Sequence, residues 1–461
     1  MSASFRCTDA GNAKRFASQH QGAAIFVPAV GWRVWDGTRY ALDDMGAAER
    51  LAKQTAAAIF TEAAASGNDD ERRAVARWAL ASERGSALRE MIRLAESEPD
   101  MAAAPDSFDT DPWLFNCRNG TLDLRTGALR PHRKEDRLTR VAPVEYNPDA
   151  TSPVWDAFLE RVQPDPQTRA FLRRAAGYTL TGTTREEVLF FVHGDGANGK
   201  TRFLEALANA IGPDYARTAD FSLFTAGKNE GPRNDIARLA GVRYVKSSEV
   251  DDGRRLAEAL IKTLTGGDRV SARFLFREAF EFEPAFKPWL AANYRPEIRG
   301  ADHGIWRRIL LIPFSVRIPE AERDKELAAK LRDAAPAVLR WAVAGCLEWG
   351  SDGLRPPNAV VAATEAYREE SDTVGRFLAE CCKLEPTAVT SAGSLYNAYR
   401  TYTGTASLSA TAFGKELTRR NFDSIKSGTV RRIGIRLLPD SSDSSDSFPE
   451  GSSNAHTRER N

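Results

Sequence analysis

An excess of charge of one sign is absent from this chain. Lys and Arg number 64 against 63 Asp and Glu over 461 residues, so no global field marks a nucleic-acid binder and any such surface has to be local. Cysteine is scarce. There are five, with only Cys381 and Cys382 close together and no CxxC or clustered His, which fits neither a disulfide framework nor a zinc site and reads as reduced thiols of a cytosolic protein. No apolar run approaches the roughly 20 residues that cross a bilayer. The opening MSASFRCTDAGNAKRF has no apolar h-region, so neither membrane attachment nor export is expected.

The 42% of apolar residues supplies core for two or three domains. Residues 1–96 read as a small α+β module: GWRVWDGTRYALDD (Gly31 to Asp44) alternates like a strand pair, and Ala-rich helical sequence follows. Residues 97–111, acidic and Pro-containing, read as a linker or exposed loop. Between Asp111 and Val144, Asn119-Gly120 and Thr126-Gly127 mark tight turns between short strands. Helical sequence then runs to about Tyr178. Residues 181–320 alternate apolar strands with amphipathic helices, as in a sheet with helices on its faces. Leu- and Ala-rich helices fill 321–371, a mixed module occupies 372–440, and the polar tail 441–461 is too poor in apolar residues to fold.

The chemistry centres on VLFFV (Val188 to Val192), HGDGANGKT and RFLEALANAIG, a strand, a Gly-rich loop and a helix stopped by Gly212-Pro213. The loop fits GxxxxGK[ST], with Gly194, Asp195, Gly196, Ala197, Asn198, Gly199, Lys200 and Thr201 as the nucleotide-binding residues. Glycines let backbone N–H groups and the helix N-terminus meet phosphate, Lys200 reaches the outer phosphates of ATP, and Thr201 ligates Mg²⁺. The competing reading is a chance Gly-rich turn. A phosphate cradle alone serves a kinase, a switch or a motor equally well. GVRYVKSSEV reads as a strand ending in Glu249, placed to hold Mg²⁺ and polarise the attacking water, or else as an edge strand before the acidic turn Asp251-Asp252. FKPWLAANYRP ends a strand at Asn293, whose amide can bond both water and γ-phosphate, although a strand-end Asn is also a good turn former. GIWRRILLIPF places Arg307 and Arg308 before a strand. One of them would serve as an arginine finger toward a neighbouring subunit, or both pair with surface acids.

In this order the segments resemble the superfamily 3 helicases, in particular the helicase region of phage and plasmid primases related to the poxvirus primase-helicase. The resemblance runs from NGTLDLRTG (Asn119 to Gly127) through the Gly-rich loop, the SSE of Ser247 to Glu249, KTLTGGDRVSAR and GIWRR, and continues weakly to about Leu438. It implies an α/β fold with an AAA+-like P-loop ATPase core, an N-terminal α+β region and a C-terminal winged-helix module. It also implies assembly into a homo-hexameric ring, single-stranded and forked DNA as partners, and work in phage, prophage or plasmid replication in the cytoplasm of a bacterial host. Lys200 and Thr201 then sit on ATP, Glu249 on metal and water, Asn293 is the sensor, and Arg307 or Arg308 acts in trans. Lys246 and Pro288 depart from the family's apolar strands, Pro288 by removing a ladder donor.

Arg269, Arg273 and Arg277 recur among Phe274, Phe276 and Phe280 in a segment that resembles the family's DNA-gripping β-hairpin, with Lys287 as an addition to that surface. A hairpin with one charged and one buried face is the bland alternative. From Asp372 to Pro439, Lys415, Arg419 and Arg420 fall on a third helix and Arg431 and Arg432 on a wing, which would contact phosphates. The spaced carboxylates with His that a primase needs are missing: Asp43 and Asp44 are adjacent and His20 stands alone. Primer synthesis is therefore assigned to a separate primase. The rival reading is an ATP-switched DNA-binding initiator or regulator without processive unwinding. A small-molecule phosphotransferase is disfavoured, since no acceptor pocket or second base is evident.

Overall fold

The computed structural model describes residues 5–227, 233–248, 254–275, 277–298, 303–404, 408–427 and 429–438. Two compact units emerge, one of residues 1–297 with 302–364 and one of 298–301 with 365–461.

The first unit begins with helix α1 (Asp9–His20), capped by the Thr8 side chain on the Gly11 N–H. Strands β1 (Ala24–Val27), β2 (Gly31–Trp35) and β3 (Tyr40–Leu42) form an antiparallel sheet, the expected strand pair plus one. Helices α2 (Ala47–Ala64) and α4 (Gly85–Ala95) pack with α1 and Trp32 of β2 through Ala52, Ala56, Leu88 and Met91, and α3 (Asp69–Ser82) joins them in the chain. Residues 97–111 lack regular strands or α-helix, but they are no loose linker. Met101 and Phe108 are buried, and Phe26 exchanges backbone hydrogen bonds with Met101 and Ala103. A second meander, β4 (Leu114–Cys117), β5 (Gly120–Asp123) and β6 (Ala128–Arg130), turns at the two predicted Gly positions.

Helices α5 (Pro153–Val162) and α6 (Pro166–Leu180) lead into a five-stranded parallel sheet. Its strands are β7 (Leu189–His193), β8 (Ala216–Thr218), β9 (Tyr244–Ser248), β12 (Lys287–Ala292) and β13 (Ile309–Pro313), in the order β13-β7-β12-β9-β8. An antiparallel hairpin of β10 (Val270–Arg273) and β11 (Ala279–Phe282) separates β9 from β12 in the chain. Helix α7 (Lys200–Ile211) buries Phe203, Leu204, Leu207 and Ile211 on the sheet, and Gly212 ends it at a φ of +82°. Two short helices, α8 (Asn234–Ala237) and α10 (His303–Trp306), and the longer α9 (Glu258–Thr265) fill the connections. Helices α11 (Leu327–Asp333) and α12 (Ala335–Asp352) close one face. There α12 meets α6 so tightly that a Cβ on Gly177 would lie 2.0 Å from the Cys346 nitrogen.

β12 lies in the middle of the sheet despite Pro288. The proline is tolerated because pairing with β7 starts only at Trp289, one residue later. At the head of the same strand Lys287 is 1% exposed. Its ammonium donates to the carbonyls of Thr181, Thr183 and Ala285 and lies 4.8 Å from the Tyr178 ring centre. It thereby caps the C-terminal end of α6, where the free carbonyls of a helix attract a cation. Burial, then the nearby Arg243, holds its pKa well below the usual lysine value. This corrects the expectation that Lys287 belongs to a DNA surface: all three N–H groups point into the protein.

The second unit holds α14 (Thr373–Cys381), β14 (Cys382–Ser391), α15 (Ala392–Thr403), α16 (Ala410–Arg419), β15 (Ser424–Ser427) and β16 (Thr429–Leu437), after α13 (Asn358–Ser371), which straddles the boundary. Its sheet order is β14-β16-β15, around a core of Phe377, Leu395, Tyr399, Phe413 and Ile435. Strand β14, with Pro386 in it, was not foreseen. The 441–461 tail lies outside the described residues.

Replacing Lys287 by Ala strands three carbonyls, each worth about 1–3 kcal/mol when left unpaired in the interior. The urea midpoint of Lys287→Ala is expected to fall while DNA affinity of the folded fraction holds. An unchanged midpoint with lost DNA affinity would restore Lys287 to the DNA surface.

Candidate nucleotide and nucleic-acid sites

The Gly-rich loop joins the C-terminal end of β7 to the N-terminus of α7, where four backbone N–H groups lack helical partners. Two of its three glycines are sterically required. Gly194 has a φ of +156° and a Cβ there would stand 2.2 Å from the Phe314 carbonyl oxygen; Gly199 has a φ of +86° and its Cβ would meet Val162 Cγ1 at 2.4 Å. Gly196 faces open space. A cleft of about 430 Å³ opens here, lined by residues 196–202, Ser248 and 291–293.

Lys200 is 5% exposed, and its ammonium donates to the Gly194 carbonyl, to Asn198 Oδ1 at 3.1 Å and to Asn293 Oδ1 at 3.0 Å. Burial holds its pKa below the usual value, with Asp195 opposing the shift. Two predicted residues 93 positions apart, Lys200 and Asn293, thus meet because β7 and β12 are adjacent parallel strands whose ends coincide. Thr201 opens outward on the first turn of α7. Glu249 follows β9 and lies outside the described residues, as does Phe276. Lys246, the odd cation of β9, sits at a neighbouring cleft with Arg202, Glu205 and Arg332, which explains its tolerance in the strand.

His193 went unnoticed in the sequence. Its ring is hydrogen-bonded to the Asn293 backbone, and burial, then the charges of Arg295 and Lys200, lower its pKa. The only sequence signal was its place immediately before Gly194.

Arg307 and Arg308 separate clearly. Arg308, with a side chain 10% exposed, donates to Thr265 Oγ1 at 3.2 Å and the Gly304 carbonyl at 2.8 Å, and pairs with Glu187 at 2.8 Å. It is a packing residue, so its candidacy as a finger is withdrawn. Arg307, 62% exposed, touches only the same Glu187 among the described residues, at 3.0 Å. Both stand at the N-terminal start of β13, the opposite end of the parallel sheet from Lys200. Arg307 therefore cannot serve its own chain's loop.

On the hairpin Arg269, Arg273 and Arg277 are exposed. The register sets Arg273 opposite Ala279 and Ser271 opposite Glu281, and Arg269 lies 3.8 Å from Glu283, so this face carries both signs. Phe274 stacks on Phe280 with ring centres 5.5 Å apart, and Arg277 Nη1 donates to the Ala29 carbonyl at 3.3 Å. In the second unit Lys415 and Arg431 are exposed, and Arg419 is 62% exposed beside Glu416. Arg420 is held between Asp372 at 2.6 Å and Glu416 at 3.1 Å, and Arg432 is buried on Thr418, the Phe422 carbonyl and the Gly414 carbonyl. These two expected phosphate contacts are structural instead. Among the described residues no group of three His, Cys, Asp or Glu is arranged to hold a metal, and no helix is long and apolar enough to cross a membrane.

Residues 13–164 match the family described as D5 N terminal like. A provisionally named helicase of Acanthamoeba polyphaga mimivirus is 28% identical over 307 residues, 61% of this chain and 32% of that one. A provisionally named helicase of Frog virus 3 is 27% identical over 382 residues, 65% and 39% of the two chains. A provisionally named primase of African swine fever virus is 24% identical over 325 residues, 65% and 34%. Among solved structures, the apo C-terminal region of NrS-1 covers 76% of this chain and 89% of that one at 12% identity, with a TM-score of 0.43. By sequence the chain is thus similar to viral proteins provisionally named as helicases and primases, and it spans about a third of the length of these three relatives. The matched stretch starts well before Asn119, so the small first module belongs to the resemblance too.

The loop geometry separates two glycines by experiment. Gly199→Ala combines overpacking, typically about 1–3 kcal/mol, with a strained left-handed backbone. Gly196→Ala meets nothing. Thermal melts are expected to show a clear loss for the first and none for the second.

Proposed function

We propose that this chain is the ATP-driven motor of a replication helicase, with an AAA+-like core that works in a ring on DNA. The contact between Lys200 and Asn293 carries the reading: a phosphate-loop lysine and a strand-end amide converge at the C-terminal edge of a parallel sheet, where open α/β folds bind ligands. The Gly194 and Gly199 cradle leaves no room for a side chain on either glycine, which suits a backbone that wraps phosphate.

In this reading Lys200 binds the outer phosphates, and Thr201 with Glu249 would hold Mg²⁺, which neutralises phosphate charge when bound. Asn293 reports the terminal phosphate to β12. The other end of β12 follows the β10-β11 hairpin after four residues, so a strand fixed in the sheet connects the nucleotide to the exposed Arg269, Arg273 and Arg277. Arg307 is the residue that would reach a neighbour's ATP, a contact that in other NTPases gives about 10³ to 10⁵ in rate. In this reading α14, α15 and α16 with the β14-β16-β15 sheet serve as a winged helix that meets phosphates through the exposed Lys415, Arg419 and Arg431. A separate primase remains the proposed source of primers.

ATP hydrolysis by the purified chain is expected to rise several-fold with single-stranded DNA, to lose that stimulation as salt increases, and to vanish in Lys200→Ala. Hydrolysis indifferent to DNA would favour the ATP-switched initiator instead. Arg307→Ala should also be inactive alone. Mixing it with Lys200→Ala is expected to restore measurable hydrolysis, since some interfaces then join an intact loop to an intact arginine; no restoration would remove Arg307 from a role in trans.

A further inference from the structure

Between the loop and the chain that follows β13 runs a ladder of hydrogen bonds. Phe314 N donates to the His193 carbonyl at 2.7 Å and Ile318 N to the Ala197 carbonyl at 2.9 Å. Helix α5 adds Gln163 Nε2 on the Pro313 carbonyl at 2.8 Å. Within the loop itself a single side chain completes this ladder. Asn198, 3% exposed, donates through Nδ2 to the Phe314 carbonyl at 3.0 Å and to the Asp195 carbonyl at 3.2 Å, while its Oδ1 accepts from Lys200 Nζ at 3.1 Å.

We infer that Asn198 is a positioning residue of the nucleotide site, a two-sided amide that braces the loop against the segment after β13 and aims the Lys200 ammonium. This deepens the proposed function and rests on it. The two halves of the amide do different work. The donor half fixes the loop's path at the point where Gly194 passes 2.2 Å, by its absent Cβ, from the Phe314 oxygen. The acceptor half takes one of the three ammonium protons, so the lysine is held before phosphate arrives instead of sampling its rotamers. An ordered cradle binds more tightly because the ordering cost is met on folding. The brace therefore acts on nucleotide affinity more than on the chemical step. Neither half can be supplied by a neighbouring residue, because Ala197 and Gly199 have no polar side chain.

The test uses the full chain with Asn198→Leu, which keeps volume and removes both halves, and Asn198→Asp, which keeps an acceptor for Lys200 but no donor for Phe314. Measurements are ATP KM and kcat, affinity for a fluorescent ADP analogue, and the urea midpoint. The expected result is a KM and ADP dissociation constant raised at least tenfold in both variants, with kcat of the saturated enzyme within about threefold and both proteins folded at assay conditions. Leu at wild-type KM overturns the inference. So does a loss of activity that only follows the unfolded fraction, which marks a purely structural residue. An Asp variant behaving as wild type overturns the bracing half. Wild-type protein that hydrolyses ATP alongside an unaffected Leu variant leaves the motor reading standing; wild-type protein that neither binds nor hydrolyses ATP overturns both.

Discussion

The central strand of the parallel sheet is pinned at each end by a buried ammonium. Lys287 ties its start to the Thr181 and Thr183 carbonyls just past α6, and Lys200 ties the residue after its end to the Gly-rich loop. An ammonium in the interior is stable only if its donors are used, and here each has three acceptors. The strand is therefore fixed along its axis as well as sideways by β7 and β9. A ligand that takes Lys200 away from Asn293 changes the restraint at one end only, and the strand's other end leads to the hairpin.

Much of this was legible in the sequence. The loop, its strand and its helix were readable because glycine placement and a 3.6-residue apolar period point the same way, and Asn119-Gly120 and Thr126-Gly127 marked real turns. The meeting of Lys200 and Asn293 follows from a loop and an amide that each come just after a strand, though only the sheet order makes it a contact. The basic residues were harder. Lys287, Arg308, Arg420 and Arg432 look in sequence like their exposed neighbours, and what buries them is an oxygen contributed from elsewhere: the carbonyls just past α6, the Thr265 hydroxyl of α9, the Asp372 carboxylate, the turn at Phe422. No local pattern encodes such a partner. Strand β14 was missed for another reason, since Lys383, Glu385 and Pro386 mask its alternation and it pairs only through β16.

The two arginines before β13 show how closely opposite roles can adjoin. Glu187 accepts from both, yet one guanidinium is packed under α9 and the other stands in solvent. Their difference is one step in the chain, because residues at the start of a strand alternate between the interior and the surface. The exposed one stands at the far end of the sheet from its own loop, out of that loop's reach.

Among the described residues six Lys and Arg are buried; Arg15 and Arg308 pair with Glu62 and Glu187, and the other four bond to neutral oxygens. Lys287 and Arg243 use carbonyls alone, Arg432 uses two carbonyls and a hydroxyl, and Lys200 a carbonyl and two amides. Backbone oxygens do not titrate, and ions at ordinary concentration do not screen contacts from which water is excluded. Mild acid and added electrolyte thus spare these anchors and act first on the exposed arginines and carboxylates. An ionic-strength series on this protein therefore reads its surface contacts against anchors that salt leaves in place.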